Sequence, residues 1–467
     1  MLVLDRLPRL TALVRDRTVR LAVTGLSQSG KTAFITSLVF NLLSAVREPA
    51  RLPFLRAAAE RRILSAELLA PEGGVVPPFP VHETVAALAD DPPHWPPSTT
   101  DLRRARLRLR FSPTGILAGL MRQIAAGTAD LGLEILDYPG EWLLDLPLLR
   151  QGFGDWSHET LELARRGVRV PLARDWLDYL ARHPPERAAD YEVARKAHDL
   201  YRTFLAACRE REQLSLLQPG RFLNPGQIAD PSLLWFCPLS LAVGGHVRPG
   251  SLAALMEARF RAYKTAVVQP FFTELARSVD RQIVLVDVLR VLNSGEEAFA
   301  DQRLALEAIL SAFRFGRWSL LRRLFGARID RVLFAATKAD HVPALQRDHL
   351  EALMANLVEA PTLRATQAQA RVAAAALASI RCTEDGTDLI DGRKVDVVIG
   401  LPEGSERRIR FFPGVVPVIA PPPGFWGDRF TEFPRFQPPR ITRAEGQGIP
   451  HINLDKALDF LLEDFLA

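Results

Sequence analysis

Eight consecutive residues, Gly25-Leu26-Ser27-Gln28-Ser29-Gly30-Lys31-Thr32, limit what this chain can fold into more than any other feature. They read Gly, any four residues, Gly, Lys, Thr. They stand between an apolar run of strand character, residues 19–24, and a segment that is apolar at helical spacing, residues 33–39. Strand, glycine loop and helix in that order wrap backbone N–H groups round a polyphosphate at the positive end of the new helix. Gly25 and Gly30 free the turn, and Ser27, Gln28, Ser29 and Ala33 carry further N–H groups along it. Lys31 adds a point charge on the terminal phosphates, and Thr32 offers a hydroxyl to Mg²⁺. A plain glycine turn is the alternative, and the flanking strand and helix weigh against it.

The 467 residues exceed one ordinary hydrophobic core, so two or three domains are expected. A hydrophobic fraction of 48% and a charged fraction of 24% are those of a globular protein, not a disordered one. Lys plus Arg exceed Asp plus Glu by only 59 to 54, too small a field to point to a nucleic-acid or membrane partner. Cys208, Cys237 and Cys382 lack C-x-x-C spacing, which argues for a reducing compartment and against zinc. The 9 histidines are scattered, none in a metal-binding arrangement. No apolar stretch reaches the ~20 residues of a membrane span, and the charged N-terminus is not a secretory signal. Leu7, Leu10, Leu13 and Val14 against Arg6, Arg9, Arg15 and Arg17 suggest a short basic amphipathic helix packed on its own domain.

Along the chain, a helix is expected over 51–69, followed by an irregular proline-rich stretch, 71–97. Residues 104–111 alternate strictly, Ala105, Leu107, Leu109 and Phe111 against Arg104, Arg106, Arg108 and Arg110, as in a half-buried strand whose charged face protects a sheet edge. Residues 131–136 form a second strand. From 142 to 281 the pattern is helical throughout, an insertion of domain size. Buried strands over 282–289 and 331–336, helices over 295–313 and 349–357, and a strand over 372–382 complete an alternating series, hence a mostly parallel α/β sheet. Residues 395–400 and 407–412 read as a β-ribbon, 413–439 as a proline- and aromatic-rich wrap, and 453–466 as a helix with a broad apolar face. The expected domains are 1–141 with 282–382 for nucleotide, 142–281 for the helical insertion, and 383–467 for the C-terminal elements.

Two companions refine the phosphate loop. Asp137 sits at the tip of an apolar strand, where a metal-side acid is expected, and Gly140 follows to let a loop turn toward the γ-phosphate. Thr337-Lys338-Ala339-Asp340 follows a buried strand. One carboxylate there can accept both the N1–H and the 2-amino group of guanine, a donor pair adenine lacks. Lys338 can lie along the base or brace the phosphate loop. Ser379 and Ile380 are further candidates for base contact, and Thr99 or Thr100, with Ser98 behind them, for a hydroxyl on Mg²⁺ and the γ-phosphate. Each motif alone also fits an ordinary turn.

This order resembles the Ras-like GTPase branch of the P-loop NTPases, with Thr337 where that branch usually has Asn. More closely, residues 25–34, Asp137-Tyr138-Pro139-Gly140-Glu141-Trp142, residues 281–287 and His451-Ile452-Asn453-Leu454-Asp455-Lys456-Ala457-Leu458 resemble the bacterial YcjX-like family over nearly the whole chain. The resemblance implies a P-loop fold with a Ras-like core, a helical insertion and a C-terminal extension. It implies a GTP/GDP-binding, Mg²⁺-dependent protein of the stress response, cytoplasmic, with a protein partner at the inner membrane of the bacterial envelope. Glu141 stands where the wider family commonly has a water-orienting Gln, and a carboxylate beside a γ-phosphate is unfavourable, so slow hydrolysis through Lys31, Gly140 and Glu141 is expected. An ATPase or kinase, and a nucleotide-binding scaffold without turnover, are the alternatives.

Overall fold

A computed structural model describes residues 16–25, 28–70, 76–97, 101–114, 127–228, 230–241, 247–312, 329–359, 362, 370–422, 424–426, 433–442 and 447–467. The basic N-terminal segment that suggests an amphipathic helix lies outside them. The chain forms two compact units, Met1–Tyr138 with Val279–Asn293 and Ala327–Ala467, and Pro139–Ser278 with Ser294–Gly326.

The first unit is built on seven strands: β1 (Asp16–Gly25), β2 (Ile63–Leu68), β3 (Arg103–Phe111), β4 (Ala129–Asp137), β5 (Arg281–Val286), β6 (Arg331–Ala336) and β7 (Arg371–Ala376). Their order is β2-β3-β4-β1-β5-β6-β7. The run from β4 to β7 is parallel, while β2 and β3 are antiparallel additions. Every residue of β5 is buried, as expected of a strand with both faces covered. The helix Lys31–Ser44 packs on the sheet, burying every residue from Phe34 to Leu42. Register places Val23 beside Asp137, Gly25 beside Leu285, and Val286 beside Ala336. The carboxyl ends of β1, β4, β5 and β6 thus share one edge of the sheet, where open α/β folds place their ligands.

Several expectations need correction. Residues 51–69 are not one helix. One helical turn, Arg56–Ala59, is followed by Arg61 at φ 54°, a left-handed break, and then by β2. Pairing with β3 here overrides the alanine-rich helix propensity. That same pairing makes β3 an interior strand and not an edge. Its arginines instead meet β4 carboxylates, Arg104 to Glu134 at 2.7 Å and Arg110 to Asp130 at 2.9 Å. Within the proline-rich stretch Val81–Ala89 is helical, because the prolines bracket it and Val81, Val85 and Leu88 fall on one face. β5 ends at Val286, where Asp287 caps a short helix, and β7 ends at Ala376. The ribbon is a three-stranded sheet of β8 (Thr383–Ile390), β9 (Arg393–Gly400) and β10 (Ile409–Phe411). Its first strand escaped notice although Asp391-Gly392, both at positive φ, is a strong hairpin signal.

The C-terminal helix Leu454–Leu462 buries Leu454, Ala457, Leu458, Leu461 and Leu462 in the same core as β1 and the phosphate-loop helix. The segment before it is clamped by Asn41, whose side-chain amide donates to Ile449 O and accepts from Ile449 N at 2.9 Å. At the opposite end of the sheet from the ligand edge, Arg281 is 2% exposed, donates to Leu461 O at 3.1 Å and pairs with Asp464 at 2.6 Å. Arg331 beside it donates to Phe460 O and pairs with Glu463.

The second unit is helical: Phe153–Ala164, Arg169–Ala181, Tyr191–Arg211, Leu252–Tyr263, Gln269–Ser278 and Glu296–Ala312. The last of these differs from the expectation that it belongs to the nucleotide domain. Its Asp301 pairs with Arg169 at 2.5 Å and accepts from Leu216 N–H at 2.8 Å, both within the helical unit. The core is aromatic, with Trp156 stacked on Phe260 at 5.0 Å and Trp176 on Phe204 at 5.5 Å. Buried Asp145 accepts from Tyr263 O–H at 2.6 Å and Gly220 N–H at 2.7 Å.

Two stability tests follow. Arg281→Ala strips Leu461 O, in the C-terminal helix, and the carboxylates of Asp330 and Asp464 of their buried partner, and should lower the unfolding free energy by about 3 kcal/mol in urea denaturation. Arg56→Ala removes pairs to the same helix from a side chain 68% exposed and should cost less than about 1 kcal/mol. An equal loss in the two variants would contradict this account. The second test uses His198, buried edge-on against Phe222 at 4.5 Å, where burial lowers the imidazole from 6.5 to about 4. Between those values the unfolded chain holds the proton and the folded one does not, so stability falls as pH falls, by up to about 3 kcal/mol. Burial pushes Asp145 up to about 6, which acts in the opposite direction below that pH. The difference between wild type and His198→Gln therefore isolates the histidine, and it should shrink as the pH is lowered from 6.5 to 4.

Candidate functional site

The phosphate loop begins where β1 ends. A Cβ on Gly25 would come within 2.1 Å of Ser29 Oγ and 2.9 Å of Leu285 O, so no side chain fits there. Gly30, at φ 84°, is the N-cap of the helix Lys31–Ser44, and Gln28 also takes a left-handed backbone, at φ 63°. Leu26 and Ser27 lie outside the described residues. Thr32 and Ala33 fall in the first helical turn, which carries no acidic residue to oppose an incoming anion. Lys31 Nζ donates to Gly25 O at 2.9 Å, folding the ammonium back over its own loop. Ser29 Oγ is buried and, among the described residues, has no hydrogen-bond partner.

Asp137 ends β4, buried, directly beside β1. Tyr138 follows it into the sheet, and its hydroxyl meets Thr24 Oγ1 at 2.5 Å, with Gln282 Nε2 at 3.3 Å from the same threonine oxygen. Burial raises the phenol's pKa, so this is a neutral hydrogen bond beneath the loop. Ser98, Thr99 and Thr100 lie outside the described residues. Among those described, no group of three or more His, Cys, Asp or Glu could hold a metal ion. Thr32 and Asp137 offer one hydroxyl and one carboxylate, a donor set that suits Mg²⁺ only when phosphate oxygens and water complete the octahedron.

The residues expected to read a base lie at the ends of β6 and β7. Thr337 N–H donates to Val286 O at 2.9 Å, and Lys338 takes φ 60°. Asp340 is 2% exposed. Its Oδ2 accepts from Cys382 N–H at 2.8 Å and its backbone carbonyl accepts from Thr383 Oγ1. His341 packs beside it, Nδ1 3.6 Å from Oδ1, with its ring against Phe436. Burial keeps this imidazole's pKa below its usual value. Ala339 N–H donates to Leu377 O at 3.1 Å, which brings the loop holding Ser379 and Ile380 alongside. One hydrogen bond from Cys382 fixes the orientation of the Asp340 carboxylate without exhausting its lone pairs, which number about four.

Of the two roles open to Lys338, the ion pair to Asp287 is the one seen in the structure. Lys338 braces the site through Asp287, Nζ to Oδ2 at 2.5 Å. Asp287 Oδ1 also accepts from Arg290 N–H at 3.1 Å. Burial resists ionisation of Asp287, but Lys338 and Arg290 outweigh it and hold the carboxyl below the usual carboxylate range. Arg290 Nη1 in turn donates to Gln28 Oε1 at 3.1 Å. Asp287 is hidden because the run 282–289 reads as unbroken strand. An acid interrupting a wholly apolar run was the available signal. Gly140 and Glu141 belong to the second unit, where Gly140 opens the 3-10 segment Gly140–Arg150 and Glu141 packs its backbone against Gly220.

Comparison with known proteins extends this picture. The YcjX-like family, DUF463, matches residues 19–466. A protein of Escherichia coli named Ras-like GTPase YcjX is 38% identical over 463 residues, covering 97% of this chain and 96% of its own. A protein of the same name from Shewanella oneidensis is 35% identical over 469 residues, covering 97% and 95%. The seven-stranded, mostly parallel sheet with its glycine loop is a P-loop NTPase fold, and the chain belongs to the YcjX-like family.

Proposed function

We propose that this protein is a Mg²⁺-dependent guanine-nucleotide-binding protein and slow GTPase that changes conformation between its GTP and GDP states. The observation that carries the reading is the alignment of the Gly25–Thr32 loop, Asp137 and the Thr337–Asp340 loop along one carboxyl edge of one sheet. The relatives named Ras-like GTPase support guanine as the base. In this reading the loop N–H groups and Lys31 hold the phosphates, and Lys31 exchanges its bond to Gly25 O for a phosphate oxygen. Thr32 and Asp137 would hold Mg²⁺, with Thr99 or Thr100 as the further hydroxyl, and the bound ion would supply positive charge beside the transferred phosphoryl group. Asp340 and the 379–380 backbone take the base, with Lys338 bracing their loop through Asp287. Gly140 senses the γ-phosphate, and Glu141, a carboxylate where a neutral amide would serve better, keeps hydrolysis slow. A role in the stress response, a cytoplasmic location and a protein partner at the inner membrane complete the proposal. Among the described residues no helix is long and apolar enough to cross a membrane.

Calorimetric titration with GDP, GTPγS, ADP and ATPγS in Mg²⁺ tests the base and the loop together. GDP and GTPγS should bind, Lys31→Ala should abolish or greatly weaken both, and Asp340→Asn should lose at least about a hundredfold for guanine while gaining xanthine nucleotides. Equal binding of adenine nucleotides, or an Asp340→Asn variant with unchanged preference, would replace this reading with an ATPase or kinase. Single-turnover hydrolysis by the purified protein should run at on the order of 10⁻³ s⁻¹ or slower. Fast cleavage without a partner would overturn the role given to Glu141, and cleavage that survives EDTA would overturn the role of the metal.

A further inference from the structure

We infer that Arg290 is a phosphate-contacting residue of this site, a cis-acting arginine aimed at the phosphate chain of the bound guanine nucleotide. The inference rests on the nucleotide-binding reading above and adds a residue to it. Arg290 Nη1 is 3.1 Å from Gln28 Oε1, and Gln28 is the fourth residue of the phosphate loop, so the guanidinium lies at the rim of the anion cradle itself. Gln28 meets it from φ 63°, a backbone conformation that residues with side chains rarely adopt. The arginine's main chain is fixed at a second point, its N–H bonded to Asp287 Oδ1, while Asp287 is itself held by Lys338 of the base-reading loop. A half-buried cation anchored at its backbone is pre-organised for an anion that enters the loop. The planar fork of N–H groups matches phosphate oxygens in pairs, which an ammonium cannot do. Gln28 then serves as the resting partner, giving up or sharing the guanidinium when the phosphates enter.

The test is GDP titration, in Mg²⁺ at fixed ionic strength, of wild type, Arg290→Ala, Arg290→Lys, Arg290→Gln, Gln28→Ala and the Gln28→Ala/Arg290→Ala double variant, each checked for an unchanged melting temperature without nucleotide. Loss of on the order of ten- to a hundredfold is expected for Arg290→Ala and Arg290→Gln. Arg290→Lys should recover part of it. If Arg290→Ala binds as wild type does, or is no weaker than Gln28→Ala with the double variant adding nothing, the arginine only supports the loop and the inference falls. Should Arg290→Ala melt early, Arg290→Gln carries the comparison. Wild type that binds no guanine nucleotide would remove the underlying reading, a result distinct from normal wild-type binding with indifferent Arg290 variants.

Discussion

A carboxylate buried at the end of an apolar strand can remain ionised only if cations and N–H groups come to it, and Asp287 is such a group. It takes Lys338 from one loop and the Arg290 N–H from its own, and through Arg290 it reaches Gln28 in a third. Three loops from three adjacent strands are thereby held to a common point. The sheet alone aligns strand ends to within a register step, and this network sets how the loops leave them. Because both Asp287 and its partners would be left with uncompensated polarity if separated, the arrangement is held more by the penalty of breaking it than by any net gain from making it.

The floor beneath the loops is made in a different way. Thr24, Tyr138 and Gln282 form a neutral hydrogen-bonded group between β1, β4 and β5. Gly25 leaves the loop no room for a side chain over Leu285 O. A charged network above and a neutral one below place the electrostatic field on the solvent side of the loop, where an anion would arrive. At the far end of the sheet Arg281 and Arg331 perform a purely structural task, satisfying the last carbonyls of the C-terminal helix.

Much of this was legible in the residues. The glycine loop, the buried strands of the parallel series, Asp137 at a strand tip and the Thr337–Asp340 loop are local signals, and the sheet places them on one edge as their order suggested. What was not legible depends on partners distant in the chain. Residues 63–68 have no strand pattern strong enough to compete with their alanine-rich surroundings, and only β3 makes them a strand. Lys338 could brace or stack, and nothing local says that Asp287 will claim it. Arg290 is one arginine among many until Gln28 is found beside it. The helix Val81–Ala89 is hidden for a simpler reason, since its prolines read as irregular when they bracket a regular element, and the strand Thr383–Ile390 is hidden because its polar residues carry no apolar alternation.

The clamp of Asn41 on Ile449 has a consequence for synthesis. The buried asparagine of the phosphate-loop helix waits, as the chain is made, for a backbone group some four hundred residues further on. The core of that helix waits for Leu458 and Leu461 as well. The phosphate loop therefore rests on an unfinished foundation while the helical unit between is being made. Because the helix that carries Lys31 and Thr32 is buried by a segment so far downstream, a chain cut short of residue 449 would be left unable to bury it.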